Sequence, residues 1–280
     1  MSAKISALIS WSAALVVIVM IAALGWALQR LPDASEIANT KVPRWYPRVT
    51  KVPGNALRFY LVFPEPMTTG EIYSHLQLID LVSQTPVAGA FRDVELWSPD
   101  ARRLTVWLHP GRQKTGVNLN DDEGPVLIEG RHYALILNRG PTTTRGTALA
   151  EDVKLTFTVG PADHAVLDPK AWKVIAPQAN SFQALRVVFD KPIDWGMADS
   201  ITVDGVLDAE RLELDDQAGT WSLIPRQRWT EGTHFIEVSP GLEDMAGNNL
   251  SRPFEVDVSA ASNARPAERK PVRIAFEVCP

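Results

Sequence analysis

"LEDMAGNNLSRPFEVDV", Leu242 to Val258, sets acids and amides beside Gly247 just ahead of an alternating apolar run. As a ligand loop it would make the chain a metal protein; as a turn feeding a strand it makes the chain all-β. A calcium loop places oxygen ligands in the spacing D-x-[DN]-x-[DN]-G, and that spacing is absent around Asp244 and Asn248. A turn at the end of a β core needs apolar residues that point inward and a residue that tolerates left-handed backbone. Leu242, Met245 and Leu250 meet the first need, Gly247 and Asn248 the second. Glu243 and Asp244 are then expected to face water or to cap the turn. The stretch reads as a turn, with Phe254–Val258 as the strand it feeds.

Working outward, runs of period two recur between turn residues, and no long segment beyond residue 54 has helical period. Strands are expected at Leu57–Phe63, Arg103–His109, His132–Leu137 and Lys154–Val159. A second series is expected at Trp172–Ile175, Leu185–Phe189, Ile201–Val203, Trp221–Ile224, His234–Val238 and Phe254–Val258. The two series match each other. "ALRFYLVFPEPM" from Ala56 aligns with "ALRVVFDKPI" from Ala184, and "EGRHYALIL" from Glu129 with "EGTHFIEV" from Glu231. "LTVWLHP" and "WSLIP" fill one slot, and Gly146 and Gly247 each precede a closing strand. This is an internal repeat whose first unit carries insertions around Phe91–Arg102 and Gly111–Leu127.

The "F.KP" turn, "W.L.P", "EGTHF.EV" and "LEDMAGNNL" resemble the bacterial immunoglobulin-like domain of the surface-layer-protein type. The match covers most of Phe182–Val258 and, more weakly, Leu57–Val159. The first unit, with "DVELWSPDARRLTVWLHPGR", is similar to an uncharacterised family of exported bacterial proteins. The resemblance implies seven-strand sandwiches at an envelope location and brings no catalytic residues with it.

The N-terminal end supplies the address. From Ile5 to Leu28 no residue is charged, Lys4 precedes the run and Arg30 follows it. About 20 helical residues cross a bilayer, so the run is long enough, and its flanks place the N-terminus inside and the rest outside. A cleaved signal peptide, cut after Gly25 or Ala27, is the alternative. Prolines 32, 43, 47 and 53 then suggest an extended spacer. With 28 basic and 33 acidic side chains the net charge is −5, which argues against a nucleic-acid partner. Cys279 is the single cysteine, so there is no internal disulfide and no cysteine metal site.

Chemical motifs are few. In "NLNDDEGPVLIE", Asn118, Asn120, Asp122 and Glu129 stand at calcium-loop positions, but Glu123 occupies the obligatory glycine; a solvated hairpin insertion is expected. Signatures of serine hydrolases, zinc proteases and phosphate loops are absent, and His75, His109, His132, His164 and His234 are scattered. No catalytic residue, metal ligand or cofactor is assigned. Binding candidates are Trp107, which alternation places with Thr105 opposite Leu104, Val106 and Leu108, and the loop cations Arg112 and Lys114. Trp107 either stacks on a sugar or partner, or is covered by the insertion. The two cations either meet an anion or stay solvated near Asp121, Asp122 and Glu123.

The expected architecture is all-β: two tandem Ig-like β-sandwich domains after an N-terminal transmembrane helix. Residues 1–30 form the anchor or signal, 31–47 the spacer, 48–161 the first domain, 170–258 the second, and 259–280 a linker and C-terminal strand. That strand, "VRIAFEV" at Val272–Val278, is expected to add to an edge of the first unit or at the junction. The expected function is a non-enzymatic, membrane-anchored structural or interaction protein of the bacterial envelope. The alternatives are a glycan-binding module and, behind it, a hydrolase with its site in the first-domain insertions.

Overall fold

The computed structural model describes residues 42–114, 118–206, 209–255 and 270–280. Nine strands build the first half: β1 (Arg44–Tyr46), β2 (Lys51–Pro53), β3 (Arg58–Val62), β4 (Leu76–Asp80), β5 (Thr85–Pro86), β6 (Leu96–Trp97), β7 (Arg103–Trp107), β8 (His132–Leu137) and β9 (Val153–Gly160). They form one sheet in the order β1-β3-β7-β6 and another in the order β2-β9-β8-β4-β5. Only β2 and β9 run parallel. Alternation sends Phe59, Leu61, Leu104 and Val106 inward from the first sheet to meet Leu135, Leu137, Phe157 and Val159 from the second.

Seven strands build the second half: β10 (Lys173–Ile175), β11 (Leu185–Val188), β12 (Ile201–Val203), β13 (Ala209–Leu214), β14 (Thr220–Pro225), β15 (Gly232–Val238) and β16 (Val272–Val278). Their sheets are β10-β11-β14-β13 and β12-β15-β16. Counted along the chain, strands one, two, five and four share one sheet and strands three, six and seven the other. That is the pairing order of a seven-strand immunoglobulin sandwich. Trp221, Val187, Leu223, Ile236 and Val238 fill this second core, separate from the first.

Several expectations change. Phe254 and Glu255 are not in a strand, and 256–258 lie outside the described residues. The seventh strand is β16, which pairs with β15 over all seven residues, from Val238↔Val272 to Gly232↔Val278. It completes the second sandwich; it does not add to the first. The reason is core chemistry, since Phe276 and Val278 close an apolar gap that the second half leaves open. The supposed spacer gives up its end, because β1 pairs with β3 and buries Trp45. Pro43 and Pro47 flank this edge strand, where proline is tolerated. The segment at 118–123 is a short helix, α2 (Asn118–Glu123), preceded by α1 (Pro110–Gln113), and not a hairpin. No helix among the described residues is long and apolar enough to cross a membrane, and the Ile5–Leu28 run lies outside them.

Candidate functional site

The densest chemistry of the described residues lies where the two sandwiches meet, and the opening stretch is at its centre. Asp244, expected to face water or to cap the turn, caps it and is only 2% exposed. Its carboxylate accepts the backbone N–H groups of Ala246 and Asn248, both at 2.9 Å, and the Asn248 amide at 2.9 Å. Lys191, on the β11–β12 connection, reaches it at 2.6 Å. The same ammonium meets Asp163 at 2.8 Å and the Ala165 carbonyl at 2.6 Å, both on the segment joining the halves. Asp163 is pinned from the other side by Asn55 of the first sandwich, through Asn55 Nδ2 to its carbonyl at 2.8 Å. A charge buried this deeply persists only when paired and hydrogen-bonded, and here each lone pair facing the protein has a donor. Burial by itself would lower the Lys191 pKa, but the Asp163 and Asp244 carboxylates outweigh it and hold the group above its ordinary value.

A second cluster adjoins the first. Arg58, on β3, pairs with Asp194 at 2.9 Å and with Glu243. Glu243, expected to face water or to cap the turn, is instead an interface residue. The Tyr60 hydroxyl donates to Asp194, which is 2% exposed and also accepts the Gly196 N–H at 2.9 Å. Burial first, and then the Asp194 carboxylate, raises the Tyr60 pKa well above 10. Trp195 stacks on Tyr46 with ring centroids 4.2 Å apart. Gly196 allows the close approach, since a Cβ there would lie 2.5 Å from the Tyr60 ring.

The turn itself crosses the boundary. Leu242 belongs to the second core, whereas Met245 is buried in the first, and the Met245 carbonyl accepts the Leu57 N–H at 2.9 Å. Gly247 has φ of +80°, and a Cβ on it would sit 2.6 Å from Leu57 Cδ1. Only glycine meets both constraints. In chemical terms this cluster is a latch: its acids face cations, a phenol, amides and backbone N–H groups of the same chain. Sequence reading missed Arg58, Tyr60, Lys191 and Asp194. The available signal was the alignment of the repeats, in which Glu65 and Thr68 of the first turn stand opposite Lys191 and Asp194 of the second.

The three binding candidates are placed differently. Trp107 is half-buried on β7, with the Arg92 guanidinium 5.3 Å and the Arg58 guanidinium 5.9 Å from its ring centre. Its neighbour Arg58 links it to the junction. Arg112, read as a loop cation, is buried. Its guanidinium donates to the carbonyls of Ala88, Gly124 (2.9 Å), Glu123 (3.3 Å) and Pro125 (3.3 Å). It stitches the insertion to the sandwich because four carbonyls converge where no strand partner reaches them. Lys114 caps α1, with its backbone N–H on the Pro110 carbonyl. The structure does not bring Trp107 and the two cations together around one ligand position. Among the described residues no group of three or more His, Cys, Asp or Glu side chains is placed to hold a metal ion.

No protein-family model matches the chain, and no curated protein matches it either. Among solved structures, the S-layer protein rSbsC(31–844) is similar at a TM-score of 0.31 and 13% identity, covering 71% of this chain and 23% of that one. This chain thus spans about a quarter of that protein's length. Native alpha-2-macroglobulin from Escherichia coli, domains MG0-NIE-MG1, is similar at 0.28 and 12%, covering 85% and 72%. A chimeric titin Z1Z2 is similar at 0.23 and 13%, covering 71% and 89%. At similarity this low, neither activity nor partner transfers from these proteins.

Proposed function

We propose that the chain is a non-enzymatic structural or interaction protein of the bacterial cell envelope. Two Ig-like sandwiches act as one stiff arm, held outside the cytoplasm by a membrane helix over Ile5–Leu28. The observation that carries this reading is the latch. Acids and bases, the raw material of acid–base catalysis, here neutralise one another between the sandwiches, with Asp194 and Asp244 buried and their partners partly so: Arg58 with Asp194 and Glu243, Lys191 with Asp163 and Asp244. Such pairs add little net stability, and their role in this reading is to fix one arrangement of the two sandwiches. The resemblance of the repeats to surface-layer-type Ig-like domains and the uncharged N-terminal run support the location.

The test is topological and biochemical. A reporter fused after Pro280 is expected to be active only outside the cytoplasm, and crosslinking in the intact envelope is expected to join the sandwiches to another envelope component. Reporter activity inside the cytoplasm contradicts the location; turnover of a glycan or peptide by the purified chain contradicts the non-enzymatic role.

A further inference from the structure

The first sandwich is open along one side. β5 pairs with only Ile79 and Asp80 of β4, and β6 with only Leu104 and Thr105 of β7. Between these two edges runs a groove of about 1410 Å³. Tyr73, Phe91 and Trp97 give it aromatic walls, and Glu71, Asp93 and Glu95 give it three carboxylates. Among the described residues no lysine, arginine or histidine lines it.

The three acids differ in what they do. Glu95 is part of the frame, accepting the backbone N–H groups of Gly70 (2.7 Å) and Ile72 (2.8 Å) and the Trp97 indole (2.7 Å). Burial opposes its ionisation, but those donors outweigh it and keep its carboxyl below the usual range, so the charge at this place is permanent. Glu71 and Asp93 are exposed, and no cation of the described residues pairs with either carboxylate. Of the three acids, Asp93 and Glu95 are felt at the Tyr73 hydroxyl. Burial first, and then Asp93 and Glu95, push the Tyr73 phenol up to about 12.

We propose that this groove docks a cationic segment of another protein, an extended stretch carrying lysine or arginine. Negative charge beside aromatic faces is the arrangement that holds an ammonium or guanidinium group, by Coulomb attraction and cation–π contact together. A neutral sugar fits less well. It gains no Coulomb attraction from the three acids, and the two aromatic donors are already engaged, Tyr73 with the Val94 carbonyl and Trp97 with Glu95, which leaves Thr69 and Gln77 as side-chain donors.

The site is distinct from the latch and does not depend on the stiff-arm reading. Calorimetric titration of the full chain with a blocked alternating lysine–valine hexapeptide tests it, with cellohexaose as the neutral probe. The peptide is expected to bind and the sugar not to. Glu71→Gln with Asp93→Asn is expected to weaken the peptide by about five- to tenfold. Salt at about 0.5 M is expected to abolish most of the binding. The control pair Asp190→Asn with Glu231→Gln, exposed acids of the second sandwich, is expected to change nothing. Both pairs lie on the surface, and equal melting temperatures verify folding. No peptide binding at millimolar concentration, equal weakening by the two pairs, or binding of the sugar instead of the peptide overturns the proposal.

Discussion

The same turn is built twice in this chain, and the two copies do opposite things. In the first sandwich "PTTTRGTAL" (141–149) follows β8; in the second "LEDMAGNNL" (242–250) follows β15. Their backbones agree bond for bond. Thr143 N–H donates to the Thr147 carbonyl and Asp244 N–H to the Asn248 carbonyl, each at 2.9 Å. Gly146 and Gly247 both have φ of +80° and donate to the Thr143 and Asp244 carbonyls. Even the side-chain bond recurs, with Thr143 Oγ1 accepting the Thr147 N–H where Asp244 Oδ1 accepts that of Asn248. Each turn bridges to the loop after a core strand of its sandwich, β3 in the first and β11 in the second: Met67 to Thr143 and Ile193 to Asp244. What differs is charge. Glu65, Thr68, Thr142 and Thr143 in the first copy stand where the second has Lys191, Asp194, Glu243 and Asp244. The first turn stays largely in water; the second is the latch. Fold is carried by the shared glycine and hydrogen bonds, and assembly by four side chains laid on top of them.

The largest break in this pair comes from the strands that follow. β9 closes the first sandwich 15 residues after β8, whereas β16 returns to the second 33 residues after β15. Deleting Val272–Pro280 removes Phe276 and Val278 from the second core. It is expected to cost roughly 5 kcal/mol or more and to unfold the second sandwich. A melting transition identical to that of the full chain contradicts the pairing.

Next comes converting the second turn into the first. Asp244→Thr keeps a turn acceptor but leaves the half-buried Lys191 ammonium without its buried partner. Breaking a buried pair costs about 3 kcal/mol, or roughly 6–12 °C in a chain of this size. A loss below about 1 kcal/mol means that the ion pair is slack.

How much of this was legible in the sequence follows from the same turns. Periodicity located β8 and β12 at their true bounds, because alternating burial writes itself into residue type. It missed β1, β2, β5 and β6, two or three residues each and too short to show a period, and it also missed β4 and β13, five and six residues long. It closed the second sandwich with 254–258 because the first copy closes directly after its turn; nothing local announced a longer excursion. The LEDMAGNNL stretch reads as a turn whose acids face water or cap it; Asp244 does cap it, but the partners Lys191 and Arg58 are not legible there. Burial of a charge depends on what another domain brings to it, and no window of sequence contains that partner. Arg112 was misread for the same reason, its four carbonyl acceptors being set by tertiary structure.

The two glycines separate conformational strain from contact. Gly146→Ala meets nothing within 4 Å, so only the left-handed backbone costs, about 1 kcal/mol. Gly247→Ala adds a collision with Leu57 across the junction and is expected to cost roughly 2–3 kcal/mol. Equal losses in thermal unfolding mean that the junction opens to admit a methyl group.

Alkaline pH is expected to weaken the latch, alongside Tyr73 and Tyr133 of the first sandwich, whose pKa values are raised as well. Tyr60 and Lys191 both have folded pKa values above their ordinary 10.0 and 10.5, so the folded state holds these protons more tightly than the unfolded one. Their contribution is fully present below about pH 10 and is lost as pH rises through the folded values. Unfolding followed from pH 7 to about 11 is expected to show a decline that Tyr60→Phe reduces. A flat profile contradicts the pairing of these groups. Thr143→Ala, in the exposed first turn, is expected to change stability least, by about 0.5 kcal/mol.

The stiff junction is the claim on which the rest stands, and a distance distribution tests it directly. Spin labels at Val82→Cys and Phe182→Cys, with Cys279→Ser, place one probe on an exposed site of each sandwich. Pulsed electron resonance at neutral pH is expected to give a single narrow distance. Adding Asp194→Asn and Asp244→Thr is expected to broaden it while each sandwich stays folded. A broad distribution in the parent, unchanged by those substitutions, contradicts the latch.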